Sequence, residues 1–203
     1  MGVALVLPRA ASEEDRRSVR LALKAWEDAS RKGDEEIPEI PVFTRTSTPL
    51  GLTRLDEEPE DTSLLPATWC RPATTWLSAT PVALDRNPGD LRSRDPQIAA
   101  KAYAEAEDTV RRACERIGLP PPEEVTILPA AAIAGAAKTR VYGRFPSNSE
   151  RVQRVLTHVY LRFAAPVRGP ILLGAGRYVG LGLCRRVTEA AARADVRSGR
   201  GRA

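Results

Sequence analysis

The chain contains a single histidine, His158, and the residues around it predict a strand. Side chains alternate from Thr157 onward, so His158 shares one face of this strand with Tyr160 and Arg162, and apolar side chains line the other face. An imidazole has an ordinary pKa of about 6.5 and is therefore suited to proton transfer near neutral pH. His158 is a candidate general acid or base. The alternatives are a contact to a bound molecule and a purely structural role.

A second candidate segment, residues 138–144, mixes cations with an aromatic ring. Lys138, Arg140 and Arg144 surround Tyr142 in the sequence. RNA-binding segments often have this composition, because rings stack on bases and cations meet phosphates. The pattern favours a contact with nucleic acid, and an exposed loop without a ligand is the alternative interpretation.

A third candidate is the glycine-rich segment 173–183. Glycine tolerates positive φ angles, and successive N–H groups in such a turn can form a concavity that binds an anion. The spacing G-x-G-x-x-x-G does not match the dinucleotide fingerprint, and no G-K-[S/T] follows as a P-loop requires. The remaining interpretations are a grip for a polyanion backbone and a tight β-hairpin. The residues are Gly174, Gly176, Gly180 and Gly182, with Arg168, Arg177, Arg185 and Arg186 around them.

The distribution of charge supports a polyanionic partner. The net charge of the 203 residues is +5, but residues 138–203 hold one Lys and 13 Arg against three acidic residues, which is +11. The first 137 residues therefore carry a net charge of −6. Such an asymmetry indicates a nucleic-acid partner for the C-terminal part, and arginine suits bidentate contacts to phosphate. A solvated basic face is the alternative explanation.

The order of predicted elements favours an α+β fold with a ferredoxin-like, RRM-like antiparallel sheet and helices on one face. Ser12 and Asp95 are suited to cap helices over residues 12–32 and 96–117. Residues 34–68, rich in proline and acidic side chains, predict an irregular connection, and 166–170 predict a turn. Strands are predicted over residues 2–7, 75–82, 125–129, 155–163 and 180–187, and a flexible basic tail over 188–203.

The residues of the last third resemble a known family. Segments 158–163, 166–178 and 180–183 look like the C-terminal signature of CRISPR-associated repeat-processing proteins of the repeat-associated mysterious protein superfamily. The greatest likeness is to the Cas-six half of the Cas-five/Cas-six fusion of type I-U, also called I-G, systems. Trp69, the segment 76–81 and the start at 2–8 also look like parts of that half. The resemblance covers most of residues 1–187.

This resemblance implies a function. Such proteins are metal-independent endoribonucleases that cleave the CRISPR repeat RNA, with attack of the 2′-hydroxyl on the adjacent phosphate and a 2′,3′-cyclic phosphate product. The guide RNA often remains bound and joins other subunits of a type I effector complex. No cofactor is implied. The catalytic candidates are His158, Tyr142 and Tyr160, and the RNA-binding candidates are Lys138, Arg140, Arg144, Arg162, Arg168, Gly174, Gly176, Arg177, Gly180, Gly182 and Arg185.

Two other functions remain compatible with the same residues. One is a non-catalytic RNA-binding subunit of the effector complex, and the other is a basic domain that binds nucleic acid without specificity. Cysteine spacing indicates neither a zinc site nor a disulfide framework. No apolar run approaches the roughly 18 residues that span a membrane, and the start does not read as a signal peptide. A cytoplasmic protein without membrane contact is expected.

Overall fold

A computed structural model describes residues 5–33, 37–42, 50–55, 59, 61–146 and 153–188 of the chain. The chain divides into two compact units, Met1–Leu65 and Pro66–Ala203. All the candidate site residues predicted from the sequence belong to the second unit.

In the first unit, helix α1 (Glu13–Ser30) begins after Ser12, as predicted. The Ser12 hydroxyl accepts a hydrogen bond from the Asp15 N–H at 3.1 Å, and the Asp15 carboxylate accepts one from the Ser12 N–H at 2.8 Å. This capping box satisfies N–H groups that a helix start leaves unpaired. Two short antiparallel strands, β1 (Ile40–Val42) and β2 (Leu50–Leu52), lie in the connection predicted to be irregular.

Some predictions for the chain ends fall partly outside the described residues. The strand predicted over residues 2–7 is absent from its described part, because residues 5–8 form neither helix nor strand, and residues 1–4 are not described. The predicted basic tail is described only at Thr188. No helix among the described residues is long and apolar enough to cross a bilayer.

The second unit is built on one antiparallel sheet. Its elements are α2 (Pro66–Cys70), β3 (Ala73–Ser78), β4 (Val82–Ala83), α3 (Pro96–Arg116), β5 (Glu124–Leu128), β6 (Leu156–Val167), β7 (Ile171–Leu172) and β8 (Leu183–Arg186). Strand β6 pairs with β3 and with β5 through the same residues, since Leu161 lies opposite both Trp76 and Val125. The two partners therefore occupy opposite edges of β6, and the order across the sheet is β5–β6–β3–β8–β7, with β4 also paired to β6.

This connectivity confirms the predicted ferredoxin-like α+β fold. Strand β3, helix α3 and strands β5 and β6 form the first β-α-β-β part of the ferredoxin pattern, and β8 takes the place of its last strand. Between β6 and β8, residues 168–182 contain no α-helix where the pattern has its second one. They hold β7 and the glycine-rich segment, with a short 3₁₀ turn at Arg177–Val179.

Helix α3 covers one face of the sheet and forms the main core. It starts as predicted, with the Asp95 carboxylate accepting a hydrogen bond from the Gln97 N–H at 2.8 Å and Pro96 at its first position. Its spacing of four residues places Ala106, Val110 and Cys114 on one buried stripe. This stripe packs in one apolar cluster with sheet residues that include Trp76, Val159, Leu161 and Phe163.

Three predicted strands have wrong boundaries, for physical reasons visible in the hydrogen bonds. The strand predicted over residues 75–82 ends at Ser78, because the N–H groups of residues 79 and 80 both turn to the Leu183 carbonyl, and residues 82–83 form the separate strand β4. Strand β6 continues through Pro166 to Val167, where a turn was predicted. It can do so because the register with β3 shifts between Ala73 and Thr75, so that Pro166 lies at an irregularity of the pairing. The last strand begins at Leu183, because the preceding glycines form a turn instead.

Candidate nucleic-acid interface

The glycine-rich turn, residues 173–183, is a compact hairpin whose glycines are required by its geometry. The Leu173 N–H donates to the Gly182 carbonyl at 3.0 Å and closes the hairpin at its base. Gly180 and Gly182 have φ angles of +81° and +75°, which only glycine adopts without strain. A Cβ at Gly182 would also overlap the Leu173 carbonyl oxygen, whereas one at Gly180 would meet no atom within 4 Å.

The connection between β3 and β4 shapes this turn. The Thr80 hydroxyl donates to the Gly180 carbonyl at 2.9 Å and accepts from the Leu183 N–H at 2.9 Å. The Gly182 N–H donates to the Pro81 carbonyl, also at 2.9 Å. Thr80 was not predicted as a site residue, because it lies inside the strand predicted over residues 75–82. The proline that follows it, which is uncommon within a strand, was the available signal of a turn.

The backbone N–H groups of the turn are mostly engaged within the protein. Seven of them donate to protein oxygens, at distances between 2.9 and 3.4 Å. The turn was predicted to present successive N–H groups to an anion, and these seven are directed elsewhere. They belong to Leu173, Ala175, Arg177, Val179, Leu181, Gly182 and Leu183.

We expect Thr80→Val to lower the free energy of unfolding by about 1–3 kcal/mol, because valine can neither donate to the Gly180 carbonyl nor accept from the Leu183 N–H. Thr80→Ser keeps the hydroxyl and is the matched control, with a much smaller loss expected. Urea unfolding of the three proteins measures the difference. Equal losses for valine and serine would show that the hydroxyl does not hold the turn.

The apex of the turn places a cation against an exposed aromatic ring. The Arg177 guanidinium carbon lies 4.4 Å from the centre of the Tyr178 ring, and Nη2 donates to the Tyr178 hydroxyl at 3.0 Å. Arg177 Nη1 also donates to the Gly174 carbonyl at 3.1 Å. Tyr178 is 82% exposed and Val179 is 66% exposed. Tyr178 was not among the predicted site residues, because an aromatic beside arginine in the sequence does not reveal its exposure.

His158 is fully buried between the neighbouring strands. Its Nδ1 lies 3.0 Å from the Ser78 hydroxyl and 3.2 Å from the Ser78 carbonyl oxygen, and the same hydroxyl accepts the Val159 N–H at 2.9 Å. Burial lowers the pKa of His158 below its ordinary value, and the hydrogen bond to the Ser78 backbone opposes part of this shift. Nε2 is buried and has no hydrogen-bond partner among the residues that the structure describes.

The strand face that carries His158 is less open than its polar residues suggested. Tyr160 is 6% exposed and packs with Leu77 and Leu128, against Ala132 and Ile133 from the segment after β5. Residues that follow β5 therefore cover the His158 end of this face.

Arg162, farther along the same face, is half-exposed and forms ion pairs with Glu123 and with Glu124, the latter at 3.2 Å. These carboxylates raise the pKa of Arg162, the hydrogen bond to Glu124 most of all. Two acidic neighbours weaken the attraction that this arginine would exert on a phosphate.

The other predicted cations lie on separate elements. Lys138, Arg140 and Arg144 are exposed around a 3₁₀ turn at Thr139–Tyr142 that contacts β6, and burial raises the pKa of half-buried Tyr142. Arg168 is exposed in the tight connection between β6 and β7. Arg185 pairs opposite Leu77 in the sheet. Ser78 therefore contacts His158, and Thr80, two residues later, contacts the glycine-rich turn. The 138–144 segment instead contacts β6.

The candidate site is a surface. Two concavities of about 350 and 360 Å³ lie around residues 87–92, and none of the predicted site residues lines either of them. Within the described part of the chain, no three His, Cys, Asp or Glu side chains are placed to hold a metal ion.

The chain therefore contains a ferredoxin-like α+β domain with the basic, glycine-rich turn at one end of its sheet. The sequence model of the CRISPR-associated protein, GSU0054 family, matches residues 53–186. The match covers more than half of the chain, and the chain belongs to this family. No curated protein and no solved structure matches the sequence.

Proposed function

We propose that this chain binds CRISPR repeat RNA and cleaves it, without a metal ion, to give mature guide RNA. Membership of a CRISPR-associated family supports the biological setting. The main support for RNA binding is the hydrogen-bonded turn whose apex exposes Tyr178 beside the Arg177 guanidinium. Residues 164–188 contain four arginines and no acidic residue, so this region attracts a polyanion.

The cleavage part of the proposal follows the reaction that the resemblance implies. The 2′-hydroxyl of the substrate attacks the neighbouring phosphate, its proton passes to a base, and the 5′-oxygen leaves with a proton from an acid. The products are a 2′,3′-cyclic phosphate and a 5′-hydroxyl. Cations near the phosphate stabilise the charge of the transition state.

His158 is the residue that we assign to the base. A proton on Nδ1 can be donated to the Ser78 carbonyl, which leaves Nε2 unprotonated and able to accept a proton. An unpartnered buried polar atom such as Nε2 is uncommon in folded proteins and calls for a functional explanation. Because His158 is fully buried, RNA must displace covering residues before its 2′-hydroxyl reaches Nε2.

A second candidate function is a non-catalytic RNA-binding subunit of an effector complex. Complete burial of His158 favours it, since a general base must come within hydrogen-bond reach of the proton it takes. In this function His158 would hold β3 against β6 through Ser78, and the guide RNA would remain bound without being cut.

The two functions are separated by end-labelled repeat RNA incubated with the 203-residue chain in EDTA. Cleavage at one position of the repeat, with a cyclic-phosphate end, supports the endoribonuclease. Tight and sequence-selective binding without cleavage supports the subunit. Binding that is equally strong for scrambled RNA supports a non-specific basic domain and contradicts both.

We expect the double variant Arg168→Ala/Arg177→Ala to bind repeat RNA more weakly and to lower the slope of log K against log salt by about 1–2, as loss of two phosphate contacts requires. The matched control is Arg111→Ala/Arg112→Ala, which removes the same number of positive charges from helix α3, an element that the proposal does not place in contact with RNA. If the two variants have the same slope of log K against log salt, the RNA does not contact Arg168 and Arg177.

A further inference from the structure

We infer that the Arg177–Tyr178 pair is a stacking site for one unpaired nucleobase of a single-stranded RNA. The inference rests on the proposed RNA-binding function and adds a particular residue and a particular substrate feature to it. Tyr178 is not among the site residues predicted from the sequence.

The geometry of the pair leaves one face of the ring available. Arg177 lies over the Tyr178 ring at 4.4 Å from its centre, in the arrangement of a cation–π contact. The Tyr178 residue is nevertheless 82% exposed, so the ring face opposite the guanidinium is open to solvent. A base has a flat face of similar size and can stack there, with the guanidinium charge close to the adjoining phosphates.

The site is held in place before any base arrives. Arg177 Nη1 is hydrogen-bonded to the Gly174 carbonyl, and the Gly180 carbonyl on the other side of the apex is hydrogen-bonded to Thr80. The Arg177 Nη2 bond to the Tyr178 hydroxyl restrains the ring itself. Little side-chain freedom is therefore lost on binding, which favours affinity from a small contact.

The chemistry around the apex favours RNA over a protein partner. The exposed apolar surface consists of Tyr178 and Val179, which is far less than the roughly 800 Å² that each partner of a stable protein interface buries. The neighbouring charge is entirely positive over residues 164–188. Proteins bind single-stranded RNA by stacking aromatic rings on its bases and by placing cations near its phosphates. The exposed Tyr178 ring and the Arg177 guanidinium provide one group of each kind.

The test compares single-stranded and double-stranded RNA as probes. The probes are a 12-nucleotide oligoadenylate and a blunt 12-base-pair RNA duplex, each titrated into the full chain at one salt concentration. Tyr178→Ala is expected to raise the Kd of oligoadenylate about tenfold and to change the Kd of the duplex less than twofold, because paired bases are not available for stacking. Tyr178→Phe keeps the ring and loses only the hydrogen bond from Arg177 Nη2, so the Kd of oligoadenylate is expected to rise by no more than about threefold.

A spectroscopic readout reports the stacking directly. 2-Aminopurine substituted in the oligoadenylate should lose fluorescence on binding the wild type and Tyr178→Phe, but not on binding Tyr178→Ala at saturating protein. The melting temperature of Tyr178→Ala should stay at the wild-type value, since the side chain is exposed.

The possible failures are distinguishable. If the wild type binds neither the probes nor the CRISPR repeat RNA, the proposed RNA-binding function fails, and the stacking site fails with it. If the wild type binds the repeat RNA but not the oligoadenylate, the stacking site alone is overturned. If the wild type binds but Tyr178→Ala changes neither Kd, or raises both equally, the stacking site alone is overturned. If RNA binding is unchanged but the variant no longer assembles with effector subunits, the apex is a protein contact, which also overturns the inference.

Discussion

Replacement of His158 by alanine is expected to lower the rate of repeat cleavage in EDTA by about 100- to 10,000-fold, the range typical for loss of a general acid or base. The expectation follows from the assignment of His158 as the base, because its buried Nε2 has no hydrogen-bond partner in the described part of the chain. Affinity for the uncut repeat should change little, since the fully buried imidazole does not face the solvent from which RNA binds. Single-turnover cleavage and a binding titration with the same labelled RNA measure both quantities.

His158→Asn and His158→Gln separate proton transfer from positioning. The asparagine amide reaches the place of Nδ1 and can keep the hydrogen bond to the Ser78 carbonyl, but has no atom at Nε2. Glutamine places its amide near Nε2 and cannot act as a base. If His158 is the base, both variants should lose cleavage. If asparagine restores most of the activity, His158 acts only by holding Ser78.

Burial of His158 also gives an expected dependence of stability on pH. The folded-state pKa lies below the ordinary value of 6.5, so the unfolded chain binds more protons at this site than the folded chain does. The stabilising contribution is therefore present above about pH 6.5 and is lost as the pH falls toward the folded-state pKa. Urea unfolding of the wild type and His158→Asn between pH 7.5 and pH 5 should show a steeper loss for the wild type. Parallel curves would contradict a buried neutral imidazole.

The parts of the fold that could be predicted from the sequence are those that local chemistry determines. Ser12 and Asp95 begin α1 and α3 because their side chains satisfy N–H groups two or three residues away. The alternation from Thr157 onward correctly separates Val159 and Leu161 from Tyr160, because the strand period depends on the backbone alone.

The properties of the site depended instead on contacts between distant residues. Thr80 and Gly180 are 100 positions apart, so no local pattern relates them. Alternation also placed His158 with Tyr160 without indicating that residues such as Ile133 would cover that end of the face. Similarly, glycine spacing predicted a turn correctly, but the direction of its N–H groups depends on acceptors such as the Pro81 carbonyl in another segment.

The glycine-rich turn leads to the second large expected effect, which concerns stability. Gly182→Ala is expected to lower the free energy of unfolding by about 3 kcal/mol or more. The substitution combines a strained positive φ with an overlap between the new Cβ and the Leu173 carbonyl oxygen. Neither residue can move away easily, because the hydrogen bond from the Leu173 N–H to the Gly182 carbonyl restrains both backbones. Urea unfolding at 25 °C measures the loss.

Gly180→Ala is the matched control, because its φ of +81° is nearly that of Gly182 but its Cβ would enter open space. Only the conformational strain remains, and the expected loss is about 1–2 kcal/mol. The difference between the two alanine variants therefore measures the close approach of Gly182 to Leu173. If both variants lose the same stability, the hairpin is looser than its contacts indicate, and an apex able to hold Tyr178 in one orientation for a base would lose its structural basis.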